Sequence, residues 1–347
     1  MNASSTHRLT TYLVCLLVTY LPVSAMACPK DDRGFGIYID QDLFALGLNE
    51  DRDYTTGIAV ECFWNRKDDH FMDVPALWLG QQLGVFDGYT DVERSYMLGN
   101  ITYTPDNLSE SAPILNDRPY SSLIYLSNKH VYANKHDRSA IGVDLKLGLL
   151  GTSVSRDVQR FIHQQWRNTT GDSDPVDPKG WGNQISDGGE PTVGLRLTYT
   201  EAIDRLSGEN WDVAGTASVS VGYQTSASLG MSARAGRIAS QVWTLPYSPI
   251  NRGNFLPSLS GDEWYVWAAY RVHVIGYDAL LQGQFRDSRV TFDSDDVRDV
   301  VHDAGVGLTL SYKPVQVTFS INGKSSELGT GTADRDHVWG GVYLIWR

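Results

Sequence analysis

The stretch NWDVAGTASVSVGY, residues 210–223, changes character from one residue to the next. Its odd positions are Trp211, Val213, Gly215, Ala217, Val219, Val221 and Tyr223. Its even positions are Asp212, Ala214, Thr216, Ser218, Ser220 and Gly222. Successive side chains of a β-strand point to opposite faces. One face of this strand is therefore apolar with an aromatic residue at each end, and the other is small and polar. Residues 139–149 repeat the pattern, with Ile141, Val143, Leu145, Leu147 and Leu149 against Gly142, Asp144, Lys146 and Gly148. Residues 192–199, 304–312, 315–321 and 338–346 do the same. A soluble sandwich also alternates. The aromatic ends at Trp211, Tyr223, Tyr312 and Trp346 favour a membrane barrel, because they suit an interfacial girdle, and the small polar faces suit a narrow lumen. Closure also leaves no unpaired edge in lipid.

Working outward from these segments, strands are expected over 35–42, 54–65, 94–104, 119–132, 138–150, 190–202, 210–223, 225–236, 263–277, 302–312, 314–325 and 335–346. The even count suits a bacterial single-chain barrel. The expected fold is all-β: a twelve-stranded antiparallel transmembrane β-barrel. The 33 Gly and the 18 Tyr, 10 Trp and 10 Phe suit strands joined by tight turns. A net charge of −12 argues against a nucleic-acid partner, which needs a basic footprint. Past the N-terminus no run of about 18 apolar residues occurs, which excludes helical membrane spans. Residues 1–27 carry Arg8, an apolar run over 9–21 and Ala25-Met-Ala27, the pattern of an export signal with its cleavage site. The chain thus divides into a signal peptide, 1–27, and a barrel domain, 28–347. Export would leave Cys28 and Cys62, free to pair; the pairing stays open.

One segment breaks the alternation. In residues 153–167, Val154, Val158, Phe161 and Ile162 recur at helical spacing, with Ser153 as a plausible N-cap. This helix falls in the loop after the 138–150 strand. Gln159 and His163 lie one turn apart on one of its faces. A plain porin has no use for that pair. A second cluster lies at the first two strands. Alternation places Asp40 and Asp42 on the lumen side, with Thr55, Gly57, Ala59 and Glu61 sharing that side of the next strand. Carboxylates there could bind a hard cation; a lumen electrostatic network is the plainer reading. The acidic stretch 172–177 lacks the Gly and Glu of an EF-hand loop, and 293–296 reads as a solvated tip. Neither a G-x-S-x-G elbow nor an H-E-x-x-H zinc motif occurs.

Seven stretches carry a resemblance: Asp40-Gln-Asp-Leu-Phe44, Asp51-Arg-Asp-Tyr-Thr-Thr-Gly57, Tyr103-Thr-Pro105, Asn116-Asp-Arg-Pro-Tyr120, Val158-Gln-Arg-Phe-Ile-His163, Gly180-Trp181 with Gln184, and Leu280-Leu-Gln-Gly-Gln-Phe-Arg-Asp-Ser288. In their order and spacing, over nearly the whole mature chain, the sequence resembles the LpxR-like outer-membrane lipid A 3′-O-deacylases. The resemblance implies a site at the outer-leaflet end of the barrel, between its wall and a loop helix. It implies calcium-dependent removal of 3′-linked acyl chains from lipid A, the lipid anchor of lipopolysaccharide, by a mechanism like that of phospholipase A2. In that reading His163 is the general base, Gln159 positions it or the water, and Asp42 binds Ca2+ with Thr55 beside it. Gln41 stands where the family usually has Asn, and Thr169 where a member has an acid six positions after the histidine. The implied setting is the outer membrane of a Gram-negative bacterium, with membrane lipid around a monomer. The alternative is a barrel of the same fold, catalytically silent, with a binding or structural role.

Overall fold

The structure is a computed structural model. It describes residues 33–45, 52–64, 88–134, 136, 138–170, 176–252 and 261–346, and also single positions at 78, 82 and 86. The signal peptide expected over 1–27 and Asp51 lie outside the described residues.

Twelve strands form: β1 (Arg33–Gln41), β2 (Asp53–Trp64), β3 (Thr90–Thr104), β4 (Ser121–Asn134), β5 (Ser139–Leu150), β6 (Glu190–Ala202), β7 (Trp211–Gly222), β8 (Gln224–Arg237), β9 (Glu263–Asp278), β10 (Val300–Tyr312), β11 (Val315–Lys324) and β12 (His337–Trp346). Each pairs antiparallel with its sequence neighbour, and β1 pairs with β12 from Phe35↔Trp346 to Gln41↔Gly340. The barrel is closed, as the alternation requires. No helix among the described residues is long and apolar enough to cross a membrane.

The two faces separate by chemistry. On the outside, Val219, Leu229, Val266, Val306 and Phe319 each leave half or more of their surface exposed. An apolar band of this kind faces lipid. Trp211, Tyr312 and Trp346 stand on this surface as expected. Tyr223 does not: β7 ends at Gly222, whose φ of 118° turns the chain, and Tyr223 joins the buried interior cluster.

The lumen is filled. Tyr38, Tyr54, Phe63, Tyr125, Trp339 and Tyr343 pack together inside. Glu61 accepts hydrogen bonds from Tyr38 (2.5 Å) and Ser95 (2.6 Å) and pairs with Lys129 at 3.3 Å. Two short helices enter from opposite ends: α2 (Pro249–Arg252) from the β8–β9 connection and α3 (Ala279–Gln282) from the β9–β10 connection. The Tyr125 hydroxyl donates to the Ile250 carbonyl at 2.9 Å, and Ile250 and Leu280 belong to the interior cluster. Sequence periodicity did not anticipate α2, because four residues are too few to show a helical period. With side chains and two helices in the bore, purified protein in a planar bilayer is expected to show no stepwise ion conductance. Steady porin-like steps would contradict this packing.

The helix expected over 153–167 is α1 (Ser153–Thr170). It starts just after Gly151, whose φ of 66° bends the chain out of β5. A Cβ there would sit 2.1 Å from the Ser186 carbonyl oxygen, so the turn requires glycine. Cys62 is disulfide-bonded; the other cysteines, Cys15 and Cys28, lie outside the described residues.

Candidate active site on the outer wall

Two features of the first strands correct the alternation. β1 ends at Gln41, and residues Asp42–Phe44 form a 3-10 turn. In β2 the register with β3 shifts between Tyr54 and Thr56, so Thr55 is the extra residue of a β-bulge. Asp40 does face the lumen, where it accepts from Tyr54 (2.9 Å) and Tyr343 (2.8 Å). Asp53 turns to Arg335, with contacts of 2.7 and 2.9 Å. Neither joins the candidate site.

Asp42 and Thr55, expected inside, belong to the outer side. Gln41 shares the outer face of β1 with Ile37 and Ile39, and its Nε2 donates to Asp42 Oδ1 at 2.8 Å. Its Oε1 accepts from Thr56 at 2.7 Å. Thr56 pairs with Gln41 across one edge of β2 and with Thr102 across the other. Thr55 Oγ1 lies 2.7 Å from Thr104 Oγ1, and Thr104 alternates onto the same outer face of β3 as Thr102 and Asn100. A period-two reading assigns every second residue to one face; a bulge and a strand end each break that count by one.

The helix α1 packs on this same outer face. Ser155 Oγ donates to Asn100 Oδ1 at 3.0 Å and accepts from Thr102 Oγ1 at 2.9 Å. Its buried positions are Ser155, Gln159 and His163, 1%, 4% and 4% exposed, spaced by four residues along one face. Val154 and Phe161, which announced the helix, are 38% and 37% exposed. The stripe on the wall is thus polar, and the outward face is mixed, with Val154 and Phe161 beside Asp157, Arg160, Gln164 and Asn168.

Within the seam between helix and wall, His163 and Gln159 each have one defined partner. His163 Nδ1 lies 2.8 Å from the Val176 carbonyl oxygen. A carbonyl only accepts, so Nδ1 carries the proton and the neutral ring has its lone pair on Nε2. Gln159 Oε1 accepts from Trp181 Nε1 at 2.9 Å. Thr169, at the position of the family's acid, spends its hydroxyl on the Gln165 carbonyl. In the last turn of the helix, Arg167 hydrogen-bonds Asp177 and holds its carboxyl below the usual range.

Asp42 just past β1, Thr55 and Thr56 on β2 and the helix-bearing face of β3 lie along three adjacent strands at one end of the barrel. This end carries the 105–120, 151–189 and 279–299 connections. Sequence reasoning missed Thr56, Thr104, Trp181 and the Val176 carbonyl. Trp181 had a signal, the Gly-Trp pair; the carbonyl had none, since every residue carries one.

Among the described residues no group of three or more His, Cys, Asp or Glu is gathered as a metal cluster. What stands on the outer side is one buried carboxylate, Asp42, among hydroxyl and amide oxygens. An oxygen-only set of this kind fits a hard cation such as calcium, which accepts neutral oxygen ligands and water beside a carboxylate.

Fold and site together define an outer-membrane β-barrel with polar, potentially reactive groups buried against its outer wall. The model of a family described as "Outer membrane protein LpxR" matches residues 12–347, and the chain belongs to that family. It therefore resides in the outer membrane of a Gram-negative bacterium. LpxR from Salmonella typhimurium has a similar structure, with a TM-score of 0.63 at 18% identity, over 90% of this chain and 99% of that one. The β-domain of the Bordetella autotransporter BrkA matches more loosely, with a TM-score of 0.42 at 10% identity over 91% of this chain and 98% of that one. No curated protein sequence matches the chain.

Proposed function

We propose that this protein is a calcium-dependent acyl-ester hydrolase that removes 3′-linked acyl chains from lipid A in the outer leaflet. The buried polar stripe of α1 supports this reading most. It buries an imidazole and an amide against the wall at a lipid-exposed surface, at the end of the barrel where outer-leaflet esters lie.

His163 acts as general base. The Val176 carbonyl fixes its tautomer, so Nε2 takes a proton from water as the water oxygen bonds to the ester carbonyl carbon. The carbon–oxygen bond to the sugar then breaks, and the proton held on Nε2 passes to the leaving 3′ oxygen. The ring returns to its neutral state and no covalent intermediate forms. The Val176 carbonyl also takes over the orienting task that an acid at position 169 would have. Asp42 would hold the calcium ion, with the Thr55 hydroxyl beside it and Gln41 bracing the carboxylate. Calcium, when bound, supplies a Lewis acid for the negative charge that builds on the ester oxygen.

Full-length protein in detergent with lipid A and calcium is expected to release the 3′ acyl chain, seen as a mass loss, and EDTA is expected to abolish the loss. Release that continues in EDTA would remove calcium from the reading. Folded protein that leaves every lipopolysaccharide unchanged would favour the catalytically silent barrel.

A further inference from the structure

We propose that Trp181 is a positioning residue for this hydrolysis: its indole N–H locks the Gln159 amide in the orientation that offers hydrogen-bond donors to the ester. The inference rests on the hydrolase reading above and extends it to a residue outside the helix.

Trp181 sits in the 3-10 turn Gly180–Asn183. It is almost fully buried, with its ring 4.8 Å from that of Tyr120 and Leu108 in the same cluster. The turn packs closely enough that a Cβ at Gly180 would lie 2.5 Å from the Tyr120 ring. The indole is therefore held by packing, and its N–H points at Gln159 Oε1, 2.9 Å away.

An indole nitrogen donates and cannot accept. The Gln159 amide must then turn its oxygen to Trp181 and its NH2 group the other way. That nitrogen is buried, and among the described residues it has no hydrogen-bond partner. Buried donors are rarely left unmet in native proteins, so a ligand from outside the chain is the natural acceptor. Gln159 lies on the polar stripe between Ser155, pinned to the wall, and His163, one turn on. The acceptor at that place is the carbonyl oxygen of the ester, which gains negative charge as water adds. Without the indole N–H the amide is free to turn over and present its own oxygen to that charge.

The test is a cycle of full-length variants in detergent, assayed on lipid A with calcium. Trp181→Phe keeps an aromatic ring at this position and loses the N–H with the five-membered half of the indole. It is expected to lower kcat about tenfold, the worth of one neutral hydrogen bond, with KM little changed and heat-modifiable gel migration intact. Gln159→Glu replaces the donor with an oxygen and is expected to lower kcat by about 100-fold. In the Gln159→Glu background, Trp181→Phe is expected to add no further loss, because the amide it positions is gone. A residue that only stabilises the loop would lower activity by the same factor in both backgrounds. With active wild type, full kcat in Trp181→Phe or multiplying effects would overturn the inference while leaving the hydrolase reading intact. Inactive wild type would overturn both. If Trp181→Phe does not fold, full kcat in Gln159→Glu still overturns the inference.

Discussion

His163→Ala is expected to lower the rate of acyl release by about 10²–10⁴-fold, the usual contribution of a positioned general base. The expectation follows from the ring's surroundings. Its Nδ1 proton is committed to the Val176 carbonyl, so the lone pair can only be on Nε2. His163 lies in the helix–wall seam and not in the lumen, so the barrel should fold without it. The variant should therefore show the same heat-modifiable migration as wild type while losing activity. Release at the wild-type rate from the alanine variant would remove His163 from the chemistry.

Arg118→Ala is the second large effect, and it falls on stability. Arg118 is 2% exposed and lies between β3 and β4. Its Nη1 is 2.5 Å from Glu327 Oε2, a partner 209 residues away, and its guanidinium lies 3.9 Å from the centre of the Tyr103 ring. Glu327 also meets Lys324 at 2.8 Å. Burial pushes the Glu327 carboxyl up, but Lys324 and Arg118 more than offset it and hold the carboxyl well below its usual range. Removing Arg118 leaves a buried carboxylate with half of its compensation. Breaking a buried pair in this way costs about 3–5 kcal/mol. Urea unfolding in detergent should shift to lower concentration by a corresponding amount. Glu327→Gln added to Arg118→Ala should recover part of the loss, because it removes the stranded charge. An unchanged midpoint for Arg118→Ala would show that the pair does not brace the loop ends.

The barrel was legible because a closed sheet with unlike faces writes its geometry at every second residue. All twelve strands lie within a few residues of their expected ranges. What failed were places where one residue breaks the count. Thr55 is the extra member of a bulge, and Asp42 lies just past the end of β1, so both moved from the expected lumen side to the outer wall. Nothing in the residues 51–57 marks a bulge, because it depends on how β2 registers against β3. The helix was legible from Val154, Val158, Phe161 and Ile162, yet spacing alone cannot say which side is the solvent. Its orientation follows only once Asn100 and Thr102 are known to stand on the wall beside it. The pairing of Gln159 with Trp181 spans 22 residues of loop, and only the folded chain brings them together.

The placing of these groups on the outer wall also bears on how anything reaches them. With the bore packed by Tyr38, Tyr125, Tyr343 and α2, no route runs along the barrel axis. On the hydrolase reading, a lipid would arrive by sliding sideways through the leaflet, a two-dimensional search that needs no gate. Crowding and fluidity of the surrounding lipid, more than concentration in the water outside, then set how often the seam is visited.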